Sequence, residues 1–226
     1  MAMFKTLAEF QKNTVDRINT SSNEDRVQRY FSLKSGESFK IRFRQELTED
    51  AANYDDEIGG AHTYMVHTNP NNFTKHAVCT ADNDEWGYKC WACEQVKATS
   101  DNAWKAKQRL VINIAVQVDG DNGEKVWVPR VLDQKFTPAH CASDVVEFAS
   151  AYDTLTDRVY KISRTGEKKS TNYSLIPLNV EDAPAELAEL PVHDLSKMYR
   201  TVSYAEQAGF FLETDDKSPA EGWGSD

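Results

Sequence analysis

His76 and Cys79 form a His-x2-Cys pair, and Cys90 and Cys93 a Cys-x2-Cys pair ten residues further on; no other feature of the chain limits its fold as tightly. Two residues between donors let one tight turn aim both side chains at one point. Two such turns supply the four N and S donors that a structural zinc ion takes in a tetrahedron. Three of the four cysteines fall in this cluster, with Cys141 apart, too sparse a set in 226 residues for a disulfide framework. His62 and His67 lie close by, so the fourth donor is open, with His67 as the alternative to His76. A catalytic zinc would leave a position free for water and need a neighbouring acid or base. A zinc deaminase would show His-x-Glu and then Pro-Cys-x2-Cys, whereas Lys89 precedes Cys90 and His-x-Glu is absent. The expectation is a closed, structural zinc site without a catalytic residue.

Around this cluster the patterning is mainly β with flanking helices (α+β). Phe4, Leu7 and Phe10 repeat at helical spacing near the start, which predicts an N-terminal helical segment over residues 1–29. Phe39, Ile41 and Phe43 alternate with Lys40, Arg42 and Arg44, the period of a strand with one apolar and one cationic face. Residues 45–75 read as loop. Two β-rich runs around a Gly/Asp/Asn turn predict a hairpin over 109–132, and a second hairpin follows over 157–178 with "TGEKKS" at its tip. Thr137 and Pro138 open a helix between the hairpins, and Pro184–Tyr204 reads as helix again. Strand, hairpin, helix, hairpin suits a small OB-fold barrel. The expected division is a core over 30–205, with a zinc subdomain at about 60–105, and a disordered acidic C-terminal tail over 206–226.

Net charge is −10, yet its distribution is uneven. The tail carries Glu206, Glu213, Asp215, Asp216, Glu221 and Asp226 against Lys217 alone, so it holds half of that charge. The middle of the chain is near-neutral to basic and interleaves cations with flat rings, as sequence-tolerant binding of a single strand requires. The candidate contacts are Lys40, Arg42, Arg44, Trp91, Trp104, Lys105, Lys107, Arg109, Arg130, Tyr160, Lys161, Arg164, Lys168, Lys169 and Tyr173. In the tail, Asp215, Asp216, Glu221, Trp223 and Asp226 mimic nucleic acid in charge and aromatic content and are the candidate partner-binding residues. The charged start and the lack of a long apolar run predict a cytoplasmic protein without a membrane partner. Two other classes compete: a zinc-ribbon adaptor that binds protein, and a zinc-dependent nuclease.

The Cys-x2-Cys pair before a basic, aromatic segment, the run "KQRLVINIAVQVD", and a closing hairpin ending in Tyr173, Leu175 and Pro177 resemble the phage single-stranded DNA-binding proteins of the T-even helix-destabilising type. The resemblance spans roughly residues 30–226. It implies an OB-fold with a zinc subdomain, Cys79, Cys90 and Cys93 as ligands, and a role in DNA replication, recombination and repair. It implies also that the acidic tail contacts replication and recombination proteins and that the chain self-associates on DNA. In the family pattern the histidine lies about a dozen residues before the first cysteine, which points to His67. The family's basic N-terminal arm has no counterpart here, where residues 1–29 are mixed in charge.

Overall fold

The computed structural model describes residues 29–82, 84, 87–100, 102–120 and 122–213. The expected N-terminal helix and the tail residues Asp215, Asp216, Glu221, Trp223 and Asp226 lie outside them. Among the described residues are seven strands: β1 (Ser38–Phe43), β2 (His62–Asn69), β3 (Asn72–Val78), β4 (Lys107–Asp119), β5 (Lys125–Lys135), β6 (Arg158–Thr165) and β7 (Asn172–Val180). Three α-helices accompany them: α1 (Trp91–Thr99), α2 (Ala142–Tyr152) and α3 (Tyr204–Leu212).

All strand pairings are antiparallel and build one sheet in the order β3-β2-β4-β1-β6-β7, with β5 also on β4. Strand β4 organises it because its thirteen residues serve both edges. Residues 109–119 pair with β5. On the other edge the first half pairs with β2 and the second half with β1. No strand pairing among the described residues closes this sheet.

The alternation in β1 sends Ile41 and Phe43 into the main core, where they meet Leu110, Ile112, Ile114 and Val116 of β4, Leu132 of β5, Ile162 of β6, Leu175 of β7 and Val145 of α2. Tyr160 belongs to that core as well. It lies opposite Ile41 across β1 and β6, is 0% exposed, and its ring meets Phe43 at 4.9 Å. The expected DNA contact at Tyr160 is therefore corrected: register fixes it on the apolar face.

The second face of the sheet is covered by residues 181–202. This stretch was expected to be helical, but Pro191 interrupts it, since proline offers no N–H and clashes with the preceding turn. It runs instead as a strap with 3-10 turns at Ala185–Leu187 and Leu195–Lys197. Leu187 and Leu190 pack on Ala115, while Leu195, Met198 and Tyr199 pack on Val66, Val111 and Val131. Asn113 pins the strap: its side chain accepts from His193 N at 2.9 Å and donates to His193 O at 3.0 Å.

That cover overturns part of the cationic strand face. Arg42 is 1% exposed, and its Nη2 donates to the carbonyls of Glu181 (2.7 Å) and Asp182 (3.1 Å). Arg44 is half-buried and donates to Leu190 O at 3.4 Å. Both act as fasteners for the strap, and Lys40 alone of the three remains exposed.

Two elements arose where the sequence reads as loop: β2 and β3, the hairpin over 62–78. Helix α3 also takes in residues 206–212, at the start of the expected tail, and buries Gln207 and Phe211.

Candidate metal centre and nucleic-acid interface

Strand β2, the end of β3 and the start of α1 bring His67, Cys79, Cys90 and Cys93 together, with all four ligand atoms within 4.8 Å of one another. Cys79 Sγ is 3.6 Å from Cys93 Sγ, and His67 Nε2 is 3.4 Å from the sulfurs of both Cys90 and Cys93. Metal bonds of about 2.3 Å to sulfur and about 2.0–2.1 Å to nitrogen would separate tetrahedral donors by about 3.5–3.8 Å. The quartet has the spacing needed to hold a metal ion.

Strand parity decides which histidine takes part. Opposite residues of an antiparallel pair share a face, and His67 lies opposite Ala77 whereas His76 lies opposite Thr68. Cys79, two residues beyond Ala77, continues on His67's face, its N–H bonded to Met65 O at 2.7 Å. His76 points to the other face and meets the Tyr199 ring at 5.5 Å. The His76 ligand expectation thus gives way to His67.

The tautomer of His67 follows from its partner. Nδ1 lies 2.6 Å from Trp104 O, and a carbonyl only accepts, so Nδ1 carries the proton and the Nε2 lone pair faces the sulfurs. A metal-bound histidine is fixed in the same way by a carbonyl behind it. Cys90 is the thiol most ready to ionise. Hydrogen bonding from Cys79 holds its pKa well below the usual thiol value against the opposing effect of burial. Cys90 and Cys93 also flank the first turn of α1, where the helix dipole favours a thiolate. Cys79 is pushed up, by its hydrogen bond to Cys90 first and by burial second.

Helix α3 locks this centre. Gln207, 1% exposed, accepts from Trp91 N at 2.8 Å and donates to Thr80 Oγ1 at 2.9 Å and Val202 O at 3.0 Å. Trp91 and Trp104 close on each other edge-to-face at 5.3 Å, with Phe211 against both at 6.0 and 5.4 Å. The two tryptophans expected to stack on bases are thus half-buried in the packing around the metal centre.

The path from Trp104 leads directly to cations. Lys105 and Lys107 are exposed, and Arg109 lies opposite Lys135 in the β4/β5 ladder. Arg109 is held by Asp133 at 2.7 Å, whose other oxygen accepts from Tyr199 Oη. Beyond β5, the His140 ring stacks on Tyr173 at 5.3 Å and 17°. The Arg164 guanidinium lies 6.0 Å from the Tyr173 ring, with its Nη1 bonded to Leu33 O at 2.5 Å. Burial lowers the pKa of Lys135, and Arg109 and Lys107 lower it further. His140 is lowered to about 4, by burial first and then by Lys135 and Arg109.

Sequence reasoning missed Lys135 and His140. The hairpin turn after Asp119, carried through the ladder, would have set Lys135 beside Arg109. Of the remaining expected contacts, Lys161 and Lys168 are exposed, and Arg130 is half-buried with Nη1 on Pro129 O at 2.7 Å. The side chain of Lys169 lies outside the described residues. The β6–β7 turn that carries Lys168 depends on Gly166 at φ +71°, where a Cβ would meet Ser170 O at 2.1 Å. Among the described residues no helix is long and apolar enough to cross a membrane. Comparison with protein-family models, with curated proteins and with solved structures finds no match for this chain.

Proposed function

We propose that this chain is a single-stranded DNA-binding protein, built on an OB-type barrel and stiffened by a structural zinc ion. The observation that carries the reading is a strip of cations and rings around the paired ends of β4 and β5: exposed Lys105 and Lys107, Lys135 opposite Arg109, and the His140–Tyr173 stack backed by Arg164, with Lys135, Arg109 and Lys107 near enough to oppose a proton on His140. The connectivity supports it. Strands β1, β4, β5, β6 and β7 make a five-stranded unit with α2 between its third and fourth members. The Tyr173 N–H donates to Ala139 O at 2.9 Å, which ties the fifth strand to the segment after the third. In an OB-fold the face of strands 2 and 3, together with the loops after strands 1 and 4, binds oligonucleotides. Here those loops are the metal-centred insert and the "TGEKKS" turn; residues 181–202 cover the outer face of β4 and β5 between them, so a strand would run along the cations left exposed at its ends, Lys105 and Lys107 by the insert and Lys168 in the turn.

Zinc fits one histidine and three cysteines, and four protein donors leave no open position, which favours a structural role. The ion would hold His67, and through its Nδ1–H the Trp104 carbonyl, so that Lys105 and Lys107 enter β4 in fixed register. The wider role, coating single strands in phage replication, recombination and repair while the acidic tail recruits partner proteins, follows from the resemblance. The test is an oligo-dT titration of the zinc-loaded chain across a salt series. Neutralising Z phosphates gives a slope of log K on log salt of about −0.7Z, so three to five contacts predict about −2 to −3.5. Absence of binding, or a flat salt response, refutes the proposal.

A further inference from the structure

We propose that His140 and Tyr173 form a stacking step for one unpaired base of the DNA strand, with Lys107 and Lys135 placed for the adjoining phosphates. This names a contact within the single-stranded DNA reading and rests on it. The two rings come from different strand ends: His140 closes the turn after β5, its N–H on Thr137 O at 2.9 Å, and Tyr173 opens β7. The Tyr173–Ala139 backbone bond fixes these ends against each other. His140 Nδ1 lies 2.9 Å from Gln134 Oε1, which sets the orientation of its ring. Tyr173 packs against the main core and is backed by Arg164, so the solvent side of the stack is His140.

Burial first, and then the charges of Lys135, Arg109 and Lys107, leave His140 a neutral plane, and Asp133, the acid that favours a proton there, is engaged by Arg109 and Tyr199. A flat uncharged ring set among cations is the arrangement that takes a base on its face while neighbouring ammonium groups take phosphate.

The experiment compares oligo-dT with an oligomer of the same length made of abasic sites, using the full-length, zinc-loaded protein and fluorescence anisotropy. His140→Leu keeps bulk without a ring. It is expected to weaken oligo-dT binding roughly 5- to 100-fold, the range for loss of one stacked base, and to change abasic binding by about twofold or less. His140→Phe restores oligo-dT binding. Lys135→Ala weakens both oligomers alike and flattens the salt slope by about 0.7. If His140→Leu leaves oligo-dT affinity unchanged, or weakens both oligomers equally, the stacking step is refuted and DNA binding stands. If the unmodified protein binds neither oligomer, the single-stranded DNA reading itself falls.

Discussion

Replacing His67 and His76 one at a time tests the metal centre at its least obvious point, because the two histidines are only nine residues apart and face opposite ways. His67 is 1% exposed, its Nε2 is 3.4 Å from two sulfurs, and its Nδ1–H satisfies Trp104 O. A structural zinc site is worth about 10–16 kcal/mol of binding at neutral pH, so an even quarter of it is about 3–4 kcal/mol, or roughly 10²- to 10³-fold in affinity. His67→Ala also strands the Trp104 carbonyl, at a further cost of about 1–3 kcal/mol to the fold. His76→Ala removes a ring contact with Tyr199, worth about 0.5–1.5 kcal/mol, and leaves zinc affinity unchanged. Chelator competition reads the affinities and thermal melting reads the fold. His67→Cys, which keeps four donors, should retain stoichiometric zinc. Tight zinc binding in His67→Ala together with its loss in His76→Ala would overturn the parity argument.

Removing the proposed zinc ion with a chelator should loosen Trp91 and Trp104 from Phe211, which a red shift of tryptophan emission and a lower melting temperature will show. Arg42→Ala should destabilise the protein by about 1–3 kcal/mol, because two strap carbonyls lose their donor, yet leave the salt slope of the proposed DNA binding intact. Lys107→Ala should do the reverse, flattening the slope by about 0.7 with little effect on melting. His193 is 8% exposed, and burial, then Arg29 and Arg130, lower its pKa to about 4. On acidification the unfolded chain takes this proton near pH 6.5 and the folded chain only near pH 4, so the stability is present above pH 6.5 and lost as pH falls through that window. The loss is at most about 3 kcal/mol, and denaturant titrations of His193→Gln should show a correspondingly shallower decline.

Local chemistry made much of this fold legible. The β4–β5 hairpin was readable from β-branched runs around a turn, and the inward residues of β1 from simple alternation. Alternation could not say what lies on the outward face. Lys40, Arg42 and Arg44 read as one cationic surface, but the cover over two of them comes from residues 181–190, about 140 positions away. That cover is itself irregular, held by Asn113 and by leucines at uneven spacing, and such a segment has no periodic signal. The β2–β3 hairpin was missed because its tip, "HTNPNNFTK", is polar on both faces apart from an exposed Phe73 and so reads as loop. Trp91 and Trp104 looked like stacking residues because their chain neighbours are polar, yet Phe211 arrives from a helix more than a hundred residues downstream to cover them.

The choice between His76 and His67 shows how spacing and structure compete. A gap of two residues suits a turn, and Cys90 and Cys93 use it at the first turn of α1. The same gap in a strand separates side chains by an odd number of positions and sends them to opposite faces. His76 lies inside β3, so its spacing to Cys79 works against shared ligation. An even separation would have been required within one strand, or a donor from the neighbouring strand, which is what His67 supplies. The ligand from β2 ties the insert to β4 through the Trp104 carbonyl, and so joins the metal centre to the strip that begins at Lys105. A ligand at His76 would have closed a loop within the insert and left its link to β4 to the β2–β4 strand pairing alone.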